Sequence, residues 1–268
     1  MKTDMKKVGL ALGGGAARGV AHFGVLEVLS EERIPIDFVC GCSAGAIAGA
    51  LYCTGSDVVL AGKLCETIDM ASFLDFTIPR MGFMKGEKAE KMVEMLTKGK
   101  RIEECGTPFS CVACDLISGQ TVTFTSGPIA RACHASFAIP GVFEPVEIDG
   151  KQLVDGGITT RVPVEQVRAM GADYVIAVDV GYQGTGHPKA ENMMNVFLNA
   201  FDLCDWLNNE RLVARSDCLI CPDMENIPMD SLEKASESLE NGRIAARAAV
   251  EKIKRDIGMT NNGNDCAV

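Results

Sequence analysis

The chain has 268 residues, 47% of them apolar and 23% charged, enough to bury a sizeable core and unlike the composition of a disordered protein. Its formal charge of −10 argues against a nucleic-acid partner, because such proteins gain affinity by setting Lys and Arg on phosphates. The same charge disfavours tight adhesion to anionic membranes and leaves room only for a transient membrane-surface contact through a local patch.

The first residues, MKTDMKKVGLALGGGAARG, have the outline of a secretory leader, but the apolar run breaks at Gly13 to Gly15 and is followed by Arg18. Export is not expected and the chain reads as cytoplasmic. Val8 to Leu12 reads as a buried strand, followed by a glycine loop and an apolar-periodic helix from about Val20 to Glu32. Phe38 to Ser56 is uncharged over 19 residues, with Gly41, Gly45 and Gly49 at four-residue spacing. So many small residues make it too weakly hydrophobic for a membrane span. It reads instead as a short strand, Phe38 to Cys40, running through Ser43 into a buried helix.

Helices are predicted around Asp57 to Ile68 and Glu87 to Leu96, then a β pair, Pro108 to Asp115 with Gln120 to Thr125, turning at Ser118-Gly119. A helix over Ile129 to Ala138 precedes a hairpin whose turn is Asp149-Gly150, a strong signal for such a connection. Its second strand runs directly into Asp155. Tyr174 to Asp179 and Cys218 to Cys221 read as further strands. Between them, Glu191 to Arg211 sets Met193, Phe197, Phe201, Cys204 and Leu207 on one helical stripe, opposite Asn195, Asn199, Asp202 and Asn209. The apolar stripe is expected to pack inward or to line an acyl pocket. A closing helix is expected over Ser231 to Ile257. The alternation predicts an α/β fold, a mostly parallel central sheet with helices on both faces, as one domain over residues 5–257 with a disordered tail at 258–268.

The 12 cysteines suit reduced, mostly buried thiols. The pairs Cys111 with Cys114 and Cys218 with Cys221 both sit in strand-like runs, where positions three apart face opposite ways, so neither is read as a metal or redox site.

Gly41-Cys42-Ser43-Ala44-Gly45 fits G-x-S-x-G between a strand and a small-residue helix, the setting of a nucleophile elbow. Ser43 would stand exposed at the helix N-terminus, where backbone amides favour developing negative charge; the bland alternative is an ordinary serine N-cap. Cys42 is read as a packing residue. The loop Gly13-Gly14-Gly15-Ala16-Ala17-Arg18-Gly19 offers bare amides to an anion. That anion is either a dinucleotide pyrophosphate, with Asp37 as the acidic partner of a Rossmann-type site, or the oxyanion of a tetrahedral intermediate held by Gly14 and Gly15 with help from Ala44. The last glycine comes one residue late for the dinucleotide pattern, and Asp37 precedes its strand.

A serine nucleophile needs a base, and three histidines are available. His187 falls in the glycine-rich run GYQGTGHP, while His22 and His134 lie in predicted helices and read as structural. The other candidate is Asp155, at the end of an apolar strand in LVDGG; burial there would raise its proton affinity above the carboxylate reference near 3.9. An Asp-Gly pair is more often merely a turn, and taken alone Asp155 reads as one.

Taken in order, GGGAARG, GCSAG and DGG resemble the signatures of the patatin-like phospholipase family. ASFAIPGVFEPV (Ala135 to Val146) and FLDFTIPRMGFMKGEK (Phe73 to Lys88) extend the resemblance over roughly residues 8 to 180. It implies a three-layer fold and a Ser–Asp dyad, Ser43 forming an acyl-enzyme and Asp155 serving as base, with no cofactor and no metal. It also implies an oxyanion hole from the amides of Gly13, Gly14 and Gly15, with Arg18 supporting the loop. The substrate would be a lipid or another carboxylic ester, and Met70 to Phe83 and Met193 to Leu207 are the candidate acyl-binding stretches. A catalytically silent regulatory protein on the same fold is the competing expectation.

Overall fold

A computed structural model describes residues 5–68, 75, 81–181, 184, 189–230 and 232–259, with backbone alone for 208–212. The first part of the chain runs β1 (Val8–Leu12), α1 (Ala21–Glu31), β2 (Phe38–Cys42), α2 (Ala44–Cys53), α3 (Val58–Cys65), β3 (Gly82–Met84) and α4 (Glu87–Leu96). Next come β4 (Phe109–Asp115), β5 (Thr121–Phe124), α5 (Ile129–Phe137), β6 (Gly141–Phe143), β7 (Val146–Ile148) and β8 (Lys151–Asp155). The rest is α6 (Gly157–Thr160), α7 (Val164–Ala169), β9 (Tyr174–Val178), α8 (Met193–Val213), β10 (Cys218–Ile220) and α9 (Ala235–Asp256).

The main sheet has the order β10-β9-β1-β2-β4-β8-β7, with β5 also on β4. From β10 to β4 the neighbours are parallel, whereas β8, β7 and β5 add antiparallel pairs at the other end. Alternate residues of the central strands enter two separate cores, as the two-residue period of a strand requires. Val8, Leu10 and Leu12 of β1 and Ile176 and Val178 of β9 pack under α1, α2 and α9. Ala11, Cys40, Cys42, Val175 and Ala177 meet Val164 and Val167 of α7 on the opposite face. The result is the expected three-layer α/β architecture with a mostly parallel sheet. Among the described residues, no helix is long and apolar enough to cross a membrane.

Two expectations need correction. The closing helix begins at Ala235 instead of Ser231, because the chain before it is drawn toward the glycine loop: Met229 O accepts from Ala17 N at 3.0 Å and Ile227 O from Arg18 Nε at 2.8 Å. The second correction is that α8 is turned over. Leu198, Asp202 and Asp205 are buried, while Met193, Phe197 and Leu207 of the predicted inner stripe are exposed. Two buried arginines attract the aspartates, as described below. The tail beyond Met259, Phe76 and His187 lie outside the described residues.

The elbow depends on close backbone approach. A Cβ on Gly41 would lie 2.4 Å from Gly45 O, and one on Gly45 would lie 2.2 Å from Leu12 O. Backbone atoms cannot give way as side chains can, so Gly45→Ala should destabilise the protein by about 3 kcal/mol or more. Gly55 has φ +77° but open space around it, so Gly55→Ala should cost only about 1 kcal/mol of left-handed strain. Urea unfolding of the two variants measures both; equal costs would contradict the assignment.

Candidate active site

Ser43 sits between β2 and α2 with φ 52° and ψ −121°, a left-handed conformation that a non-glycine residue holds only when its surroundings fix it. Its amide donates to Ser136 Oγ at 2.8 Å. The residue is buried rather than exposed, with 4% of its surface accessible: the glycine loop covers it, a Cβ on Gly14 falling 3.4 Å from Ser43 Cβ.

Strand β4 sets the distance between Ser43 and Asp155. It pairs with β2 on one side, Cys42 opposite Val112, and with β8 on the other, Ala113 opposite Asp155. Ser43 and Asp155 therefore leave their strands at neighbouring rows across one intervening strand. Ser136 joins the two loops, since its carbonyl accepts from Gly156 N at 3.3 Å while its hydroxyl holds the Ser43 amide. Asp155 N also donates to Ala138 O at 2.9 Å. The glycines after Asp155 have separate reasons: a Cβ on Gly156 would lie 2.5 Å from Val112 O, and one on Gly157 would lie 3.0 Å from Asp155 Oδ1.

The carboxyl group of Asp155 is 2% exposed. Oδ1 accepts from Gly157 N at 2.8 Å and faces the thiol of Cys42 at 3.9 Å. Oδ2 has no hydrogen bond of full geometry among the described residues, although the Ser43 hydroxyl is close enough to favour the charged form. Burial pushes the carboxyl up to about 6, against smaller opposing contributions from Ser43, Gly157 and Cys42. Cys42 is itself buried, and burial beside Asp155 pushes its thiol well above the usual range, so it is a neutral neighbour of the carboxylate.

The amides of the glycine loop are not equally free. The Gly13 amide donates to Val178 O at 3.0 Å and the Gly14 amide to Arg161 O at 3.1 Å, so both are already engaged. Of the three glycines only Gly15 has an amide without an acceptor among the described residues, and Ala16 and Ala44, at the starts of the two helical turns, are in the same position. Gly13 O accepts from His22 Nε2 at 2.8 Å, and burial lowers that imidazole to about 4, so His22 is a neutral strut. His134 bonds to Glu90 and to Lys85 O at 3.0 Å, tying α5 to α4 and to the residue after β3, and makes no hydrogen bond to Ser43. Asp37 Oδ2 accepts from Val8 N at 2.7 Å, at the opposite end of β1 from the loop, where it cannot serve a ribose bound there.

Behind the site lies a buried charge cluster that the sequence reading missed apart from Arg18. Arg18 is 4% exposed and bonds Asp202 Oδ2 at 2.8 Å as well as Ile227 O. Arg161 is 1% exposed; its guanidinium bonds Asp179 Oδ2 at 3.0 Å and lies 3.6 Å from Asp202 Oδ1 and 3.7 Å from Asp205 Oδ2. Burial pushes the Asp205 carboxyl up to about 9. A lone arginine in the apolar run ITTRVPV was the available signal, because such a residue is almost never buried unpaired.

Beside this cluster, Met84, Ile139, Val142 and Leu198 form a small apolar core against which Ala16, Phe83, Met194 and Phe201 are partly buried. It brings parts of both predicted acyl-binding stretches to the glycine loop.

Comparison with known proteins follows the same lines. The family model described as Patatin-like phospholipase matches residues 10–168. An uncharacterized NTE family protein of Mycobacterium tuberculosis is 35% identical over 215 residues, 80% of this chain and 57% of that protein. The Lysophospholipase NTE1 of Mycosarcoma maydis is 36% identical over 191 residues, 68% of this chain and 10% of its own. The chain thus spans between 10% and 57% of the length of these curated relatives. The crystal structure of VipD from Legionella pneumophila superposes with a TM-score of 0.65 at 15% identity, over 92% of this chain and 67% of that one, a likeness of fold.

Removing one member of a buried ion cluster strands the others. Arg161→Met should therefore cost about 3–5 kcal/mol, and Arg161→Lys should recover only part, since one ammonium cannot face three carboxyls as a guanidinium does. Denaturant midpoints test this, and a loss under about 1 kcal/mol would contradict a paired cluster.

Proposed function

The chain belongs to the patatin-like phospholipase family, and from that premise we propose that it is a serine acyl hydrolase working through a Ser43–Asp155 dyad. In this reading Ser43 Oγ attacks an ester carbonyl while its proton passes to Asp155. The carbonyl oxygen takes the negative charge and is met by the amides of Gly15, Ala16 and Ala44. Collapse expels the alcohol, which takes the proton from Asp155, and leaves an acyl-serine. Asp155 then draws a proton from water, whose oxygen attacks the acyl carbon, and returns it to Ser43 as the acid departs.

The observation that supports the reading is the buried Asp155 carboxyl, whose Oδ2 has no full hydrogen bond among the described residues and whose charged form the nearby Ser43 hydroxyl favours. A carboxylate in water is too weak a base for this task. One pushed up to about 6 by burial is matched to neutral pH while still ionised there. The acyl chain would lie in the apolar core next to Ala16, and the substrate class is a lipid or simpler carboxylic ester, phospholipid and lysophospholipid included. No step requires a metal or cofactor, and the proposed setting is the cytoplasm.

Ser43→Ala and Asp155→Asn should each lower kcat/KM on a short p-nitrophenyl ester about a thousandfold or more, with His187→Ala near wild type. Loss in His187→Ala and retention in Asp155→Asn would instead favour a histidine base. Stability should move the other way. The folded pKa of Asp155 lies above its ordinary value of 3.8, so the folded state disfavours the charge and loses stability as pH rises from about 4 to about 6. Asp155→Asn removes that penalty: its Tm should exceed wild type by several degrees at pH 7 and match it at pH 4.

A further inference from the structure

The outward face of α8 is the feature that the hydrolase reading does not use. Met193, Val196, Phe197, Leu203 and Leu207 are 70%, 58%, 38%, 41% and 63% exposed, with exposed Ala200 between them, at the three- and four-residue steps of one helix stripe. From Asn192 to Leu207 the charged residues are Asp202 and Asp205, and both are buried. The ordinary amphipathic arrangement is reversed, carboxyls inside and a continuous apolar row in water. The ion pairs of Asp202 with Arg18 and Arg161 hold the helix in that orientation.

The row is continuous with the candidate acyl site. Leu198, Met194 and Phe201 on the inner flank of the same helix pack with Met84, Ile139, Val142 and Ala16. The Phe197 ring, at the border, lies 3.3 Å from where a Gly141 Cβ would be. A second copy of the chain is the other occupant to weigh, but two heptads of apolar spacing fall short of a coiled-coil seam, and a copy seated there would cover the flank by which an acyl chain reaches the site. A lipid surface on that flank would stand beside the proposed acyl-binding core. With no charge on the row and a chain charge of −10, the fitting surface is a zwitterionic one, since attraction to anionic lipid needs Lys or Arg.

We propose that the exposed face of α8 is the lipid-docking surface of this protein, laying the row from Met193 to Leu207 into a zwitterionic bilayer interface beside the active site. This rests on the acyl hydrolase reading for its biological sense, but it is tested separately, with the full chain carrying Ser43→Ala so that no hydrolysis intervenes. Flotation with phosphatidylcholine vesicles should show binding that added salt does not weaken. Leu203→Glu/Leu207→Glu should reduce it at least about tenfold, and Leu203→Gln/Leu207→Gln should change it in the same direction without adding charge. In the Ser43-containing protein, the same pairs should leave turnover of a water-soluble monomeric ester within about twofold, a check on folding as well. Binding equal in all variants, or absent in the parent, would overturn the proposal. So would a parent that sediments as a dimer and becomes monomeric in the double variants. Failure of the hydrolase reading would show instead as an inactive Ser43-containing protein, whatever the vesicles do.

Discussion

A carboxyl group buried without a cation of its own among the described residues is the constraint around which this site is organised. Asp155 has a backbone amide, a thiol and a serine hydroxyl around it, and burial raises its proton affinity. An arginine in direct contact would undo that by stabilising the carboxylate. Arg161 is buried close by, yet its guanidinium is taken up by Asp179, Asp202 and Asp205. The cluster keeps a nearby positive charge occupied while anchoring α8 to the glycine loop through Arg18.

The same economy of space governs the backbone. Gly41 and Gly45 admit contacts that any side chain would prevent, Gly156 clears the carbonyl of Val112, and Gly157 leaves a gap that the carboxyls of Asp155 and Asp205 flank, a Cβ there lying 3.0 Å from one and 3.2 Å from the other. The central strand β4 then acts as the spacer, paired to β2 and β8 at once. Ser43 and Asp155, more than a hundred residues apart, are held by sheet register and by one shared serine, Ser136. Such placement is more exact than loops alone provide.

What was legible in the sequence was local. The strand, glycine turn and small-residue helix around Ser43 are read within a dozen residues, and LVDGG marks a strand ending in a tight turn. Strand alternation along β1 and β9 follows from the same local pattern, as does the hairpin at Asp149-Gly150. The rest depended on partners distant in the chain. Whether the amides of Gly13 and Gly14 are free is decided by Val178 and Arg161. The period of α8 was correct, but which face turns inward was decided by buried arginines, whose attraction for Asp202 and Asp205 outweighs the burial of Met193 and Leu207. Ser136 stood in a recognisable block of residues, but nothing local showed that it bridges the turns at Ser43 and Asp155.

The central claim is that a buried aspartate, not a histidine, activates Ser43. The second-order rate of Ser43 modification by a fluorophosphonate, measured against pH, reports the ionisation of the free enzyme's base. The account predicts a rate that climbs through an inflection near 6, where burial places Asp155, then levels off, and in Asp155→Asn a slow rate without that inflection. Wild-type labelling in Asp155→Asn, or an inflection that vanishes with His187→Ala instead, would contradict it.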